Sequence, residues 1–275
     1  MQTDSFTTPD AFRIHTKYWQ PAEDSQRVVI IVHGIGEHSG RYLHVAEKIV
    51  SAGYHVYALD HRGHGESSGK RLNISSQTNF ITDLKQFYDR IKSSHPDAKI
   101  FMLGHSMGSV ISLQFILSYP DAIDAIVVTG TATDVGSSVP GALRSIGDMV
   151  DRIRPNTPIS PPGGMEILTR DTEMVKRAEN DPLMYKGWTL TSIAKFIIET
   201  GKMIQERASE ITMPILIMHG EDDELTPISG SKIMYERVGS DDKTLKTWEN
   251  MLHEIMNEVE REAVLETIVD WLNRH

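Results

Sequence analysis

A serine flanked by glycines, Gly104-His105-Ser106-Met107-Gly108, directly follows the apolar run Ile100 to Leu103 and opens an apolar segment, Val110 to Tyr119. A strand that turns straight into a helix needs small residues two places before and after the turning residue. The serine hydroxyl is then exposed at the carboxyl edge of the sheet. The pattern alone occurs often by chance, but a strand before it and a helix after it make Ser106 the expected nucleophile rather than a structural turn serine. A serine hydroxyl is a weak nucleophile until a base takes its proton, and the base needs an acid to hold its tautomer. In such a strand–elbow–helix architecture the partners come later in the chain, acid before histidine, on loops after late strands.

Two segments meet that requirement. After the run Pro214 to Met218 comes His219-Gly220-Glu221-Asp222-Asp223-Glu224-Leu225-Thr226-Pro227, and after the run ending at Trp248 comes Glu249-Asn250-Met251-Leu252-His253-Glu254. His253 is the expected base, since its rival His275 is the last residue of the chain. The spacing of Gly220, Asp223 and Pro227 favours Asp223 as the acid, with Asp222 and the earlier Asp134 as alternatives. Glu221, Asp222 and Glu224 otherwise read as solvated loop charge. An acyl-transfer intermediate would carry an oxyanion that two backbone N–H groups must meet. Met107, at the helix start, is one expected donor, and Ile35, in His33-Gly34-Ile35-Gly36 after the first apolar run, is the other.

Look-alike motifs fail on single residues. Gly34-Ile35-Gly36-Glu37-His38-Ser39 would need glycine at 39 to read as a dinucleotide fingerprint, and His253-Glu254-Ile255-Met256-Asn257 lacks the second histidine of a zinc-protease helix. Asp60-His61-Arg62-Gly63-His64-Gly65-Glu66-Ser67 holds two histidines and two acids on a Gly-rich turn, where structural hydrogen bonding is expected rather than a metal. No cofactor or metal is implied. With no cysteine, the chain has no disulfide, thiolate nucleophile or Cys-ligated metal. Its net charge of −10 argues against nucleic acid and against docking on anionic lipid through a basic face. Met1 to Phe6 has neither the basic start nor the apolar stretch of a signal peptide, and no apolar run approaches a membrane span. A cytoplasmic protein, at most peripheral at membranes, is expected.

The elements that must position these residues alternate between short β-branched runs and longer segments of helical period, the mark of a mostly parallel α/β sheet flanked by helices. Val28 to Val32, Tyr54 to Leu59, Ile100 to Leu103, Ala125 to Thr129, Ile215 to Met218 and Thr244 to Trp248 read as strands. Phe80, Leu84, Phe87, Tyr88 and Ile91 stripe one helix; Val259, Val264, Ile268 and Leu272 stripe the last. From about Thr131 to Gln205 no β-rich run appears. Instead two amphipathic patterns, Leu143-Ile146-Val150-Ile153 and Ile193-Phe196-Ile197-Ile204, flank the Pro/Gly-rich stretch Pro155 to Gly164. This region is expected to be a helical cap inserted between late strands, giving a body of 1–130 and 206–275 around a cap of 131–205. The two stripes are expected to line an apolar channel and to touch a membrane or micelle transiently, or else to pack on the body. The cap has nine basic and nine acidic residues, so the body carries all the net charge.

The residues His33-Gly34-Ile35-Gly36-Glu37-His38-Ser39-Gly40-Arg41-Tyr42, the Asp60 to Ser67 turn, the Gly104 to Gly108 elbow and Asn180-Asp181-Pro182-Leu183 resemble the monoacylglycerol lipase family, serine hydrolases of the α/β-hydrolase fold. The resemblance runs from about Val28 to the C-terminus and is weakest in the cap. The string from Gly36 to Tyr42 is its most specific part. It implies cleavage of a lipid ester, a monoacylglycerol, to fatty acid and glycerol through an acyl-enzyme on Ser106. It also implies that Glu37, Arg41 and His105 meet the polar head of the substrate, although Glu37 and Arg41 would equally make an ion pair that fixes the oxyanion loop, and His105 a packing residue. Three departures stand out: Ala178 where the family usually has a tyrosine, Ser109 where glycine is common, and no cysteine near the pocket. The missing tyrosine leaves a lysophospholipase or a short- to medium-chain carboxylesterase as the alternative. A non-catalytic binding protein of the same fold is a remote one. Acyl-chain preference and oligomeric state are not legible in the sequence.

Overall fold

The computed structural model describes residues 1–74, 76, 78–138, 157–160, 164–187 and 189–275. Strands β1 (Gln2–Thr7), β2 (Arg13–Trp19) and β3 (Arg27–Val32) lead to helix α1 (Leu43–Ser51). Then come β4 (His55–Leu59), α2 (Asn79–Ser94), β5 (Lys99–His105), α3 (Met107–Ser118) and β6 (Ala125–Thr129). Between β6 and the last strands lie β7 (Pro158–Ser160), α4 (Thr172–Asn180), β8 (Thr189–Leu190) and α5 (Thr191–Arg207). The chain ends with β9 (Ile215–Gly220), α6 (Ile228–Arg237), β10 (Lys243–Trp248) and α7 (Arg261–Leu272).

Eight strands form one sheet in the order β1-β2-β4-β3-β5-β6-β9-β10. The pairs from β4 to β10 are parallel, and β1 and β2 add an antiparallel edge. The parallel strands read as unbroken apolar runs because helices cover both faces. Val28, Ile30, Val32, Ile126, Val128, Ile215 and Ile217 point into a core shared with α2, α3 and α5. Val29, Ile31, Val127, Leu216 and Met218 point to the other face, against Ile49 of α1 and Ile268 and Trp271 of α7. Helix α3 is apolar nearly all round and is buried accordingly, with only Gln114 and Ser118 reaching the surface. The elbow serine therefore sits between a central strand and the most deeply buried helix among the described residues.

The six predicted strands are present within a residue or two of their predicted ends. The hairpin of β1 and β2 was not anticipated, because an edge strand buries little: of β1, only Phe6 is inside. Val259 does not belong to the stripe of the last helix; it precedes α7 and is 60% exposed. The segment expected to lack strands contains β7 and β8, a two-stranded antiparallel ribbon too short to show a pattern in sequence. Of the two stripes there, Leu143, Ile146, Val150 and Ile153 lie outside the described residues. Ile193, Phe196 and Ile204 are fully buried and belong to the body's core, with the Phe196 ring 5.2 Å from that of Phe80. Helix α5 thus packs on the body. No helix among the described residues is long and apolar enough to cross a membrane.

Candidate active site

Parallel pairing brings the carboxyl ends of the strands to one edge, where loops from several strands can converge. Val32 is opposite Gly104, His105 opposite Thr129, and Trp248 opposite Gly220. The residues after β3, β5, β6, β9 and β10 therefore emerge together. Ser106 occupies the turn between β5 and α3 at φ 54° and ψ −121°, a conformation costly for a residue with a side chain, on the order of 1–3 kcal/mol. Its N–H donates to the Thr129 carbonyl at 2.9 Å, and its carbonyl accepts from both the amide and the hydroxyl of Ser109, at 2.9 and 2.6 Å. The Ser109 hydroxyl also accepts from the Ala132 amide at 3.2 Å, so the serine found where glycine is common ties the elbow to the exit of β6. A Cβ at Gly108 would stand 2.0 Å from the Val32 carbonyl oxygen, so only glycine lets α3 pack against β3 here.

The His253 ring, 4% exposed as a residue, places Nδ1 2.7 Å from Asp223 Oδ2. Asp223 is held by the Leu225 and Thr226 amides on Oδ1, at 2.8 and 2.9 Å, and by the Thr226 hydroxyl on Oδ2, at 2.7 Å. Burial disfavours the Asp223 charge, but the His253 ring and these donors outweigh it and the carboxyl stays well below its ordinary range. Burial likewise pulls His253 down, and the Asp223 carboxylate more than reverses this, so the imidazole is more basic than usual. The alternatives for the acid stand elsewhere: Asp222 is exposed, and Asp134 accepts from Ser137 and Ser229. His275 bonds to Asp242 and the Trp271 carbonyl.

The loop after β3 lies against Ser106: a Cβ on Gly34 would be 3.1 Å from that of Ser106. The Gly34 amide is spent on Glu37 Oε1 at 2.6 Å. Its carbonyl is 2.7 Å from His33 Nδ1, whose other nitrogen accepts from the His61 amide at 2.9 Å, so Nδ1 carries the proton and donates. Carbonyl and N–H point in opposite directions across a trans peptide, so pinning the Gly34 carbonyl also sets the direction of the Ile35 N–H. Among the described residues neither the Ile35 nor the Met107 amide has a protein acceptor. Met107 begins α3, where unpaired amides and the helix dipole favour negative charge.

Glu37 and Arg41 form a larger cluster than the sequence shows. Arg41 Nη1 is 3.0 Å from Glu37 Oε2, and Arg41 binds Glu254 with both terminal nitrogens, at 2.5 and 2.7 Å. The Tyr42 hydroxyl donates to Glu37 Oε1 at 2.7 Å, and the Asn257 amide donates to Glu254 Oε2 at 2.8 Å. Burial pushes the Glu254 carboxyl up, but Arg41 overrides it and holds the group down at about 2. Together with His105, Val45 and Met256 these residues line a small cleft. His105 donates to or accepts from the Thr129 hydroxyl through Nδ1 at 2.9 Å, and its ring centroid is 4.8 Å from that of His253. Burial and the neighbouring His253 push it down to about 4. Sequence reading missed Glu254, Tyr42 and Asn257. The adjacency of Glu254 to His253 was the only available signal.

Ala178 is buried in α4, and Asp181 beyond it accepts from His38 Nε2 at 2.8 Å. The Tyr185 amide donates to the Gly36 carbonyl at 2.7 Å, so the segment after α4 is tied to the Ile35 loop at two points.

A mostly parallel eight-stranded sheet with helices on both faces and a serine elbow after its central strand defines an α/β-hydrolase. A family model described as serine aminopeptidase, S33 matches residues 23–260. A monoacylglycerol lipase of Mycolicibacterium smegmatis is 35% identical over 271 residues, covering 98% of this chain and 96% of that protein. The crystal structure of a monoacylglycerol lipase from Paleococcus ferrophilus is 28% identical with a TM-score of 0.84, covering 94% of this chain and 98% of that one. A soluble variant of monoglyceride lipase from Saccharomyces cerevisiae, in complex with a substrate analogue, has a TM-score of 0.87 over 100% of this chain and 94% of that one. At 20% identity that likeness shows the fold alone. The chain belongs to the monoacylglycerol lipase family, carboxylic ester hydrolases of the α/β-hydrolase fold.

Proposed function

We propose that this protein hydrolyses monoacylglycerols to fatty acid and glycerol, with Ser106, His253 and Asp223 as the catalytic triad. His253 takes the Ser106 proton as the hydroxyl attacks the ester carbonyl, and Asp223 stabilises the imidazolium that forms. The amides of Ile35 and Met107 meet the oxyanion. His253 then gives its proton to the departing glycerol oxygen, and water cleaves the acyl-enzyme by the same steps in reverse. Residues 131–205 act as the cap, with α5 anchoring it to the body.

One observation carries the choice of an uncharged head group. Arg41 is the only cation among the described residues lining the cleft beside His105, and its guanidinium is already shared by Glu37 and Glu254. That cluster is one charge negative, which suits glycerol hydroxyls and opposes a phosphate. Glu37 acts mainly by fixing the oxyanion loop, since one of its oxygens is filled by Gly34 and Tyr42. Arg41 retains N–H donors for a glycerol hydroxyl, and His105 Nε2 pairs with a hydroxyl as donor or acceptor according to its tautomer.

The experiment is a substrate panel of monoacylglycerols graded by chain length, with lysophospholipid, short-chain esters and triacylglycerol, run on the wild type and Ser106→Ala. We expect the highest kcat/KM on monoacylglycerol and a loss of about 10⁴-fold or more in Ser106→Ala. Higher kcat/KM on lysophospholipid would overturn the head-group reading, and retained hydrolysis in Ser106→Ala the nucleophile. Failure of a fluorophosphonate probe to label Ser106 would favour a binding protein.

A further inference from the structure

His219 is the penultimate residue of β9, four residues before the proposed acid, and its side chain is fully buried. Nothing in the triad chemistry requires a second histidine here. Yet its Nε2 faces two acceptors at once, the Thr226 carbonyl at 3.0 Å and Asp223 Oδ2 at 3.1 Å. A nitrogen lone pair between two oxygen acceptors would be repelled, so Nε2 carries the proton. Nδ1 is then the acceptor, and the Ser231 hydroxyl of α6 donates to it at 2.7 Å. Both ring nitrogens thereby have a partner inside the protein, as their burial requires.

The oxygen that His219 approaches is the one that receives His253. Asp223 Oδ2 has His253 Nδ1 at 2.7 Å, the Thr226 hydroxyl at 2.7 Å and His219 Nε2 at 3.1 Å. Thr226 is gripped at three points: its amide and hydroxyl hold Asp223, while its carbonyl is held by His219. The geometry points to His219 as a positioning residue for the catalytic acid, a brace running from Ser231 through the imidazole to the Asp223–Thr226 turn that fixes which way Oδ2 faces. This rests on the triad proposed above. An acid that could rotate away would leave His253 free to turn or to adopt the other tautomer, and the proton could no longer move between Ser106 and the base along a fixed line.

The test uses the full chain with a nitrophenyl ester. In His219→Phe, which keeps a planar ring but removes the donor, kcat should fall about 10- to 100-fold while KM changes less than about twofold, as expected for misplacement of a catalytic group. The acid limb of kcat/KM should move to lower pH, because a displaced Asp223 no longer holds the His253 proton. The low-field NMR resonance of the His253 Nδ1 proton should move upfield. His219→Gln can donate to the Thr226 carbonyl and accept from Ser231, and should recover kcat to within about fivefold of wild type. A folded His219→Phe with unchanged kcat and acid limb, or a His219→Gln as impaired as His219→Phe, would overturn the brace. If His219→Phe does not fold, Ser231→Ala removes the hydroxyl that anchors His219 Nδ1 at the far end of the brace. It should lower kcat in the same sense, and an unchanged kcat rejects the proposal. Full activity in Asp223→Asn would reject the acid itself, a failure distinct from that of the brace.

Discussion

The molecule keeps histidines in two opposite states a short way apart. His253 is buried against a carboxylate and is more basic than a free imidazole. His33, His61 and His64 are buried together behind the oxyanion loop, with the His33 ring centroid 4.3 Å from that of His61 and 5.4 Å from that of His64. There burial dominates and pushes His33 down to about 4, His64 to about 3 and His61 well below its ordinary value. Neither nitrogen of the His61 ring, nor Nε2 of His64, has a hydrogen-bond partner among the described residues. The residue type is the same, and so is the depth. What differs is a carboxylate at bonding distance, and it separates an imidazole that favours its proton from imidazoles that burial keeps neutral.

The sharpest way to break this comparison is to remove that carboxylate's charge. Asp223→Asn should lower kcat by about 10⁴-fold, because the amide can hold the wrong tautomer of His253. His64→Phe, by contrast, should leave kcat within a few-fold, provided the variant folds. Steady-state kinetics on both variants checks the pair, and equal losses would dissolve the distinction.

A smaller effect separates the two regions by pH. The His33 and His64 groups have folded-state pKa values below the ordinary 6.5, so the unfolded chain takes up protons first as the medium is acidified. Their stabilising contribution is complete above about pH 6.5 and is lost as pH falls towards 4 and 3. For His33 alone the loss is on the order of 3 kcal/mol. His253 has the opposite slope: its raised value adds stability at low pH, which disappears as pH rises through that value. Urea unfolding from pH 7.5 to 4.5 should show net loss on the acid side, reduced in His64→Phe. A curve unchanged by that substitution would show that His64 is not held neutral.

The smallest effect concerns Glu254, whose charge also raises His253. Glu254→Gln should move the acid limb of kcat/KM to lower pH by less than about one unit. It should also lower stability by about 1–3 kcal/mol, because Arg41 keeps only Glu37 as its ionic partner. A pH–rate profile with thermal denaturation on the same sample separates the two consequences. A limb that does not move would confine Glu254 to a structural role.

Much of the fold was legible because its signals are local. An apolar run of β-branched residues is a buried strand wherever it occurs, and the six that could be read flank the site. The elbow was legible for the same reason, since glycine spacing, a strand before and a helix after are all within a short window. The hairpin of β1 and β2 was not, because its residues are half exposed and its anchor is distant: Arg62 pairs with both Asp10 and Asp83. The packing of α5 was ambiguous too. An apolar stripe says that a helix is covered, not by what, and its covering by Phe80 and the residues of α3 depends on how the sheet is wound.

By itself the sequence determined the class of chemistry, because a serine elbow followed by G-x-x-D and a late histidine allows few other readings. It also determined which strands are central, because only a strand covered on both faces can be apolar without alternation. Among the acids, the spacing favoured Asp223 over Asp222 and Asp134, and tertiary structure is what brings its carboxylate 2.7 Å from His253. It alone brought Glu254 onto Arg41, 213 residues away, and His219 beneath the acid. The physical reason is that charge–charge and hydrogen-bond energies depend on distance and burial, and the chain acquires both only on folding.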